Sequence, residues 1–135
     1  MLRSFLRHFA ICTLPVAALA CADRDPRGDN DAPIIDSVEA PLVVSAQDGA
    51  YAVPVTVLFH DNDREAITHV HYQLAPGVEG TVEVPAPNPN RESTVVTIRI
   101  PASAHGDGRT RALQLSVIDG RGAESLPQTS PLTLD

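Results

Sequence analysis

Five bulky apolar residues at strict two-residue spacing, Tyr51, Val53, Val55, Val57 and Phe59, constrain this chain more than any other feature. That period puts all five on one face of an extended strand; a helix would spread them around its circumference. The residues between them, Ala52, Pro54, Thr56, Leu58 and His60, fall on the opposite face. A strand of this kind is half-buried, so a second layer has to cover its apolar side. Pro54 lacks an amide N–H and asks for a backbone position left open on one side.

The alternation recurs down the chain. Within residues 67–74, Val70, Tyr72 and Leu74 point inward, and His69, His71 and Gln73 outward. Val82 and Val84 keep register in residues 81–84, and Val96, Ile98 and Ile100 line one face of the next run. Leu113, Leu115 and Val117 do the same, and Leu132 and Leu134 end a last strand within residues 125–134. An earlier run, residues 34–38, resumes at residues 42–45 after Pro41, the pattern of an edge strand that changes sheets.

Gly, Pro, Asn and Asp clusters separate these runs, and Asp119-Gly120-Arg121-Gly122 is a hairpin signal. No stretch sustains a 3.6-residue period. The expectation is all-β: one sandwich of about seven antiparallel strands over residues 33–135.

Two segments carry a family likeness. Leu113-x-Leu115-x-Val117-x-Asp119-x-x-Gly122-x-x-Ser125 resembles the last two strands of bacterial Ig-like and fibronectin-type-III-like modules. Val55-x-Val57 through Asp61-x-Asp63 to Ile67, Val70 and Tyr72 resembles their second and third strands. The likeness implies a structural or binding module that offers loops or a strand edge to a protein or glycan partner. The chain has no tryptophan, no inter-sheet cysteine pair and no tyrosine just before the penultimate strand, which sets it apart from true immunoglobulin domains.

Ahead of residue 33 the composition is different. Residues 1–8 carry Arg3 and Arg7 with no acid, and residues 9–20 are mostly apolar and end in small residues. These are the parts of an export signal. The 12-residue run falls short of the roughly 20 residues a membrane span needs, and Pro15 interrupts it. Its end, Ala18-Leu19-Ala20-Cys21, resembles the lipobox of bacterial lipoproteins. That likeness implies cleavage after residue 20 and acylation of Cys21, and so a membrane anchor. Ala18 stands where the family prefers leucine, and Ala18-x-Ala20 also reads as the cleavage site of a secreted or periplasmic protein without lipid. Ala22, where the family often uses aspartate for inner-membrane retention, implies the outer membrane.

Removing residues 1–20 leaves 115 of the 135 residues, one domain's worth, and moves the formal charge from −7 to −9. All ten basic residues are arginine. An acidic surface argues against nucleic acid as a partner. Cys12 leaves with the signal and Cys21 is consumed by acylation, so no intramolecular disulfide is expected. Residues 21–32 form the lipidated cysteine and an acidic linker with Pro26 and Gly28 and no large apolar residue. Such a composition stays flexible. The 11 residues after Cys21 reach at most about 35 Å, with a flexible span of about 18 Å.

Three constellations invite chemistry. His69 and His71 share the outward face, and with His60 or Asp61 they could ligate zinc, copper or nickel. Asp61, Asp63 and Glu65 alternate along a turn like part of a calcium loop, without the glycine and distal glutamate of an EF-hand. Asp29-Asn30-Asp31-Ala32-Pro33 resembles the calcium-binding linker between cadherin repeats. The competing reading of all three is a set of solvated surface groups. His105-Gly106-Asp107-Gly108 sets a histidine and an aspartate two apart, but no nucleophile elbow, phosphate loop or cofactor motif accompanies it. The sequence therefore predicts a non-enzymatic envelope lipoprotein without cofactor, with a metal- or calcium-binding protein using residues 61–71 as the alternative.

Overall fold

The computed structural model describes residues 30–103 and 106–135. The predicted signal at residues 1–20, Cys21, most of the linker and His105 lie outside the described residues. Eight strands follow in order: β1 (Ile34–Glu39), β2 (Val43–Val44), β3 (Ala50–His60), β4 (Ile67–Leu74), β5 (Val78–Glu83), β6 (Ser93–Pro101), β7 (Thr110–Asp119) and β8 (Gln128–Leu134). The described residues contain no helix, and so none long and apolar enough to cross a membrane.

The strands form two sheets, β1-β3-β6 and β2-β8-β7-β4-β5. This is an Ig-like β-sandwich. Its core is the layer the alternation predicted. Tyr51, Val53, Val55, Val57 and Phe59 of β3 and Val96, Ile98 and Ile100 of β6 are buried in one sheet. Val70 and Leu74 of β4, Leu113, Leu115 and Val117 of β7, and Leu132 and Leu134 of β8 are buried in the other. Tyr72 is half-buried at the margin. It lies over Gly80 so closely that a Cβ there would meet the phenol oxygen at 2.5 Å, which is why β5 has a glycine at that point.

The break at Pro41 is a sheet switch. β1 pairs with β3, whereas β2 pairs with β8 in the other sheet. The β2–β8 pairing is parallel, contrary to the antiparallel expectation. After crossing at residues 40–42 the chain keeps the direction of β1, which β8 shares.

Pro101 ends β6, and the two prolines inside strands, Pro54 and Pro131, sit where a neighbour is missing. β1 covers β3 only from Thr56 to His60, so Pro54 pairs with β6 alone. β2 covers β8 only at Thr133 and Leu134, so Pro131 pairs with β7 alone.

Two bulges alter the simple alternation. In β4 the register slips between Ile67 and His69, which turns Ile67 inward along with Val70. In β1 it slips between Ile35 and Ser37, which leaves Asp36 to reach His60, with Nδ1 at 2.9 Å from Oδ1. The predicted hairpin after β7 is closed by its own aspartate. Asp119 is 2% exposed, and its Oδ1 accepts the N–H groups of Arg121 and Ala123, each at 2.8 Å.

The registers fix which loops share an end. Ile34 lies opposite His60, and Ile67 opposite Asp119. Residues 30–33, the β3–β4 turn, the β5–β6 loop and the β7–β8 loop therefore gather at one end of the sandwich. Residues 40–49, the β4–β5 turn, the β6–β7 loop and Asp135 gather at the other.

Ile98 is fully buried in the middle of β6, so Ile98→Ala should cost about 2–5 kcal/mol of unfolding free energy. Val95 on the same strand is 58% exposed, and Val95→Ala should stay within about 0.5 kcal/mol. Urea titration of both variants checks the assignment of faces.

Candidate functional site on the outer face of the five-stranded sheet

Strand alternation turns a polar row outward from the centre of the larger sheet. His71 of β4 pairs with Ser116 of β7 on one side and Thr81 of β5 on the other, and Gln73 lies opposite Gln114 and Glu79. The β7–β8 hairpin then brings Glu124 back over this row through the Ile118–Glu124 bridge. His71, Gln73, Gln114, Ser116, Glu124 and Pro127 line an open groove.

His71 is the hub of the groove. Its Nδ1 is 2.9 Å from Glu124 Oε1, and its Nε2 is 3.0 Å from Glu79 Oε1. Carboxylates only accept, so both ring nitrogens donate when the ring is protonated. The Glu124 hydrogen bond raises the His71 pKa above 6.5, burial opposes it, and the Glu79 hydrogen bond adds to the rise. Ser116 Oγ donates to the same Glu124 oxygen. That hydroxyl, followed by His71, holds Glu124 below its ordinary 4.5, against a smaller opposing effect of burial. Serine and histidine thus meet on one carboxylate, with no hydrogen bond between them among the described residues. The cluster is a bridge that ties the edge strand β5 to the β7–β8 loop, rather than a relay that would activate the hydroxyl.

The structure separates the histidines that the sequence grouped. His69 Nδ1 is 2.9 Å from Thr68 Oγ1, His71 lies between Glu79 and Glu124, and His60 belongs to the other sheet, on Asp36. Asp61 and Asp63 lie in the turn after β3, where Asp61 Oδ1 accepts the Asp63 N–H at 2.8 Å. Among the described residues no three His, Cys, Asp or Glu side chains are grouped so as to hold a metal ion. Asp107, the acid of the other singled-out loop, is gripped by Arg111, Nη1 to Oδ1 at 2.7 Å and Nη2 to Oδ2 at 2.8 Å. That paired guanidinium keeps the Asp107 carboxyl far below the usual carboxylate range.

Glu79, Ser116 and Glu124 were not singled out from the sequence. Period-two reading from Leu115 does turn Ser116 outward. Glu124 lies beyond a turn, and only the closed hairpin places it over β4.

No protein-family model matches the chain. No curated protein matches it either. Among solved structures it is similar to the PKD domain of an M14-like peptidase from a Thermoplasmatales archaeon, with 19% identity and a TM-score of 0.55. The likeness covers 78% of this chain and 98% of that one, and it extends to the fold.

The pKa directions set a pH profile. His71 is raised, so its contribution to stability is complete below pH 6.5 and is lost as pH rises through the raised value. Glu124 is lowered, so its contribution is complete above pH 4.5 and is lost as pH falls through the lowered value. Both act together between those limits. His71→Gln should remove the alkaline fall and cost less than about 1 kcal/mol near pH 5.5. Urea midpoints from pH 4 to 9, with the imidazole titration followed by NMR, measure both effects.

Proposed function

We propose that this protein is a bacterial envelope lipoprotein, held to the membrane by acylated Cys21, whose Ig-like domain is a structural or binding module. The observation that carries the reading is the position of Cys21. It follows a short apolar run that ends in small residues, and an acidic tether separates it from the first strand. Each buried CH₂ of an acyl chain contributes about 0.8 kcal/mol, so several chains together make the attachment effectively permanent. Ala22 favours the outer membrane as its location.

The domain works by contact rather than by chemistry. Its partner is a protein or a glycan, and nucleic acid is disfavoured by the net charge of −7. The groove around His71 supports this reading, because Gln73 and Gln114 offer amide donors and acceptors on a face held by the Glu79–His71–Glu124 bridge. The similarity to a PKD domain supports the sandwich fold on which the module reading rests.

The mature protein should carry hundreds of daltons of acyl mass on Cys21 and partition with membranes. Cys21→Ser should move it to the soluble fraction. Mass spectrometry and fractionation test this, and a free thiol at the processed amino terminus would contradict the anchor.

A further inference from the structure

We infer that the free edge of β6, in the three-stranded sheet, is a pairing surface for a second copy of this chain, joined antiparallel about Thr97.

The ladder between β3 and β6 fixes which way the β6 backbone points. The Glu92 carbonyl accepts the Phe59 N–H at 2.9 Å, and the Gly49 carbonyl accepts the Ala102 N–H at 2.9 Å. Along an antiparallel pair, opposed residues alternate between those that exchange hydrogen bonds and those that do not. Followed inward from both ends, this alternation bonds Thr94, Val96, Ile98 and Ile100 to β3. Ser93, Val95, Thr97 and Arg99 therefore turn their N–H and C=O groups away from it. Pro54 lies opposite Thr97, at a pair that needs no donor, which agrees with this phase. Among the described residues β3 is the only sheet neighbour of β6, so the outward groups have no strand opposite them. An open hollow lined by Pro85, Arg91 and residues 93–95 borders the strand, so the β5–β6 loop stands beside this edge rather than on it.

The strands at the other sheet edges each carry a device that discourages pairing. β1 has a bulge with Asp36 and Glu39, β2 is 2 residues long, and β5 carries Glu79 and Glu83. β6 runs for 9 residues with no bulge and no acid, and it is rich in Val, Ile and Thr. Its sequence is also complementary to itself. Paired antiparallel about Thr97, Val95 lies opposite Arg99 of the second copy. On the buried face Val96 lies opposite Ile98, and Thr94 opposite Ile100. No like charges are opposed, and the Arg99 stem covers Val95, which is 58% exposed. In a chain with a net charge of −7, this is an edge where two copies approach without an acid at the contact. The two small sheets become one continuous sheet. Strand pairing buries less surface than a standard interface, so the dimer is weak. β5 borders β6 and brings Glu79 and Glu83 near the seam, so salt should tighten it. This inference is independent of the lipid anchor.

The mature chain carrying Cys21→Ser keeps lipid out of the measurement. Sedimentation equilibrium should show a monomer–dimer equilibrium at sub-millimolar concentration that tightens as sodium chloride is raised. As the dimer forms, hydrogen exchange should slow at the amides of Val95, Thr97 and Arg99. Thr97→Glu and Thr97→Lys each set like charges opposite one another and should weaken the dimer at least about threefold. Thr97 is exposed, so at dilute concentration both variants should keep the parent urea midpoint to within about 0.5 kcal/mol. An equimolar mixture of the two variants should regain the parent association, because the opposed charges then differ in sign. A chain that stays monomeric at millimolar concentration in high salt would leave the edge to a strand of another protein and would overturn the inference. A dimer that both variants leave intact, or a mixture that regains nothing, would overturn it too. None of these results would bear on the Cys21 anchor, which is read by mass.

Discussion

The domain stands on a single layer of branched aliphatic side chains pressed between two sheets. Val53, Val55, Val57, Ile98 and Ile100 of one sheet and Leu113, Leu115, Val117, Leu132 and Leu134 of the other make up the layer. Each side chain contributes about 1.5–3 kcal/mol when fully buried. β-Branched residues suit this layer because their restricted rotamers lose little freedom on a pleated surface. Only Tyr51, Phe59 and half-buried Tyr72 add aromatic bulk. The stability of the sandwich therefore depends on strand register. A one-residue slip in β3 would exchange its five buried positions for Ala52, Pro54, Thr56, Leu58 and His60.

That dependence explains features that look incidental. Proline in two core strands is compatible with the sheets only because β1 and β2 stop short of Pro54 and Pro131. The chain's crossing at Pro41 gives each sheet one short edge strand instead of giving one sheet a long one. The other edge of the larger sheet, β5, carries Glu79 and Glu83, charges that disfavour pairing with a second chain. The β7–β8 hairpin is held from inside by Asp119 and by Ser125, whose Oγ accepts the Val117 N–H at 3.0 Å. A hairpin fixed in this way can place Glu124 over β4, and the His71 bridge follows from that placement.

What could be read from the sequence is what repeats every two residues. The inward rows of β3, β6, β7 and β8, the sheet change at Pro41 and the turn at Asp119 all follow from local pattern. What could not be read needs a partner distant in sequence. Ile67 joins the core because a bulge opposite Ile118 and Asp119 rotates it, and nothing within residues 67–74 signals the bulge. The parallel β2–β8 pair depends on where the last strand runs, some 90 residues later. The separation of His60 from His69 and His71 has a similar cause. His60 and His71 are neighbours in sequence across a turn, but that turn carries the chain from one sheet to the other.

The same geometry bears on how the module could meet a partner. Asn30, the Asp61-x-Asp63 turn and the β7–β8 loop share the end at which the tether enters, so with the proposed anchor this end lies towards the bilayer when the tether is slack. The groove around His71 lies on the flank of the larger sheet. A freely jointed tether would present that flank in every orientation and spend binding free energy on ordering it. The surface itself needs less ordering, because the Glu79–His71–Glu124 bridge already ties β5, β4 and the β7–β8 loop together before any partner arrives.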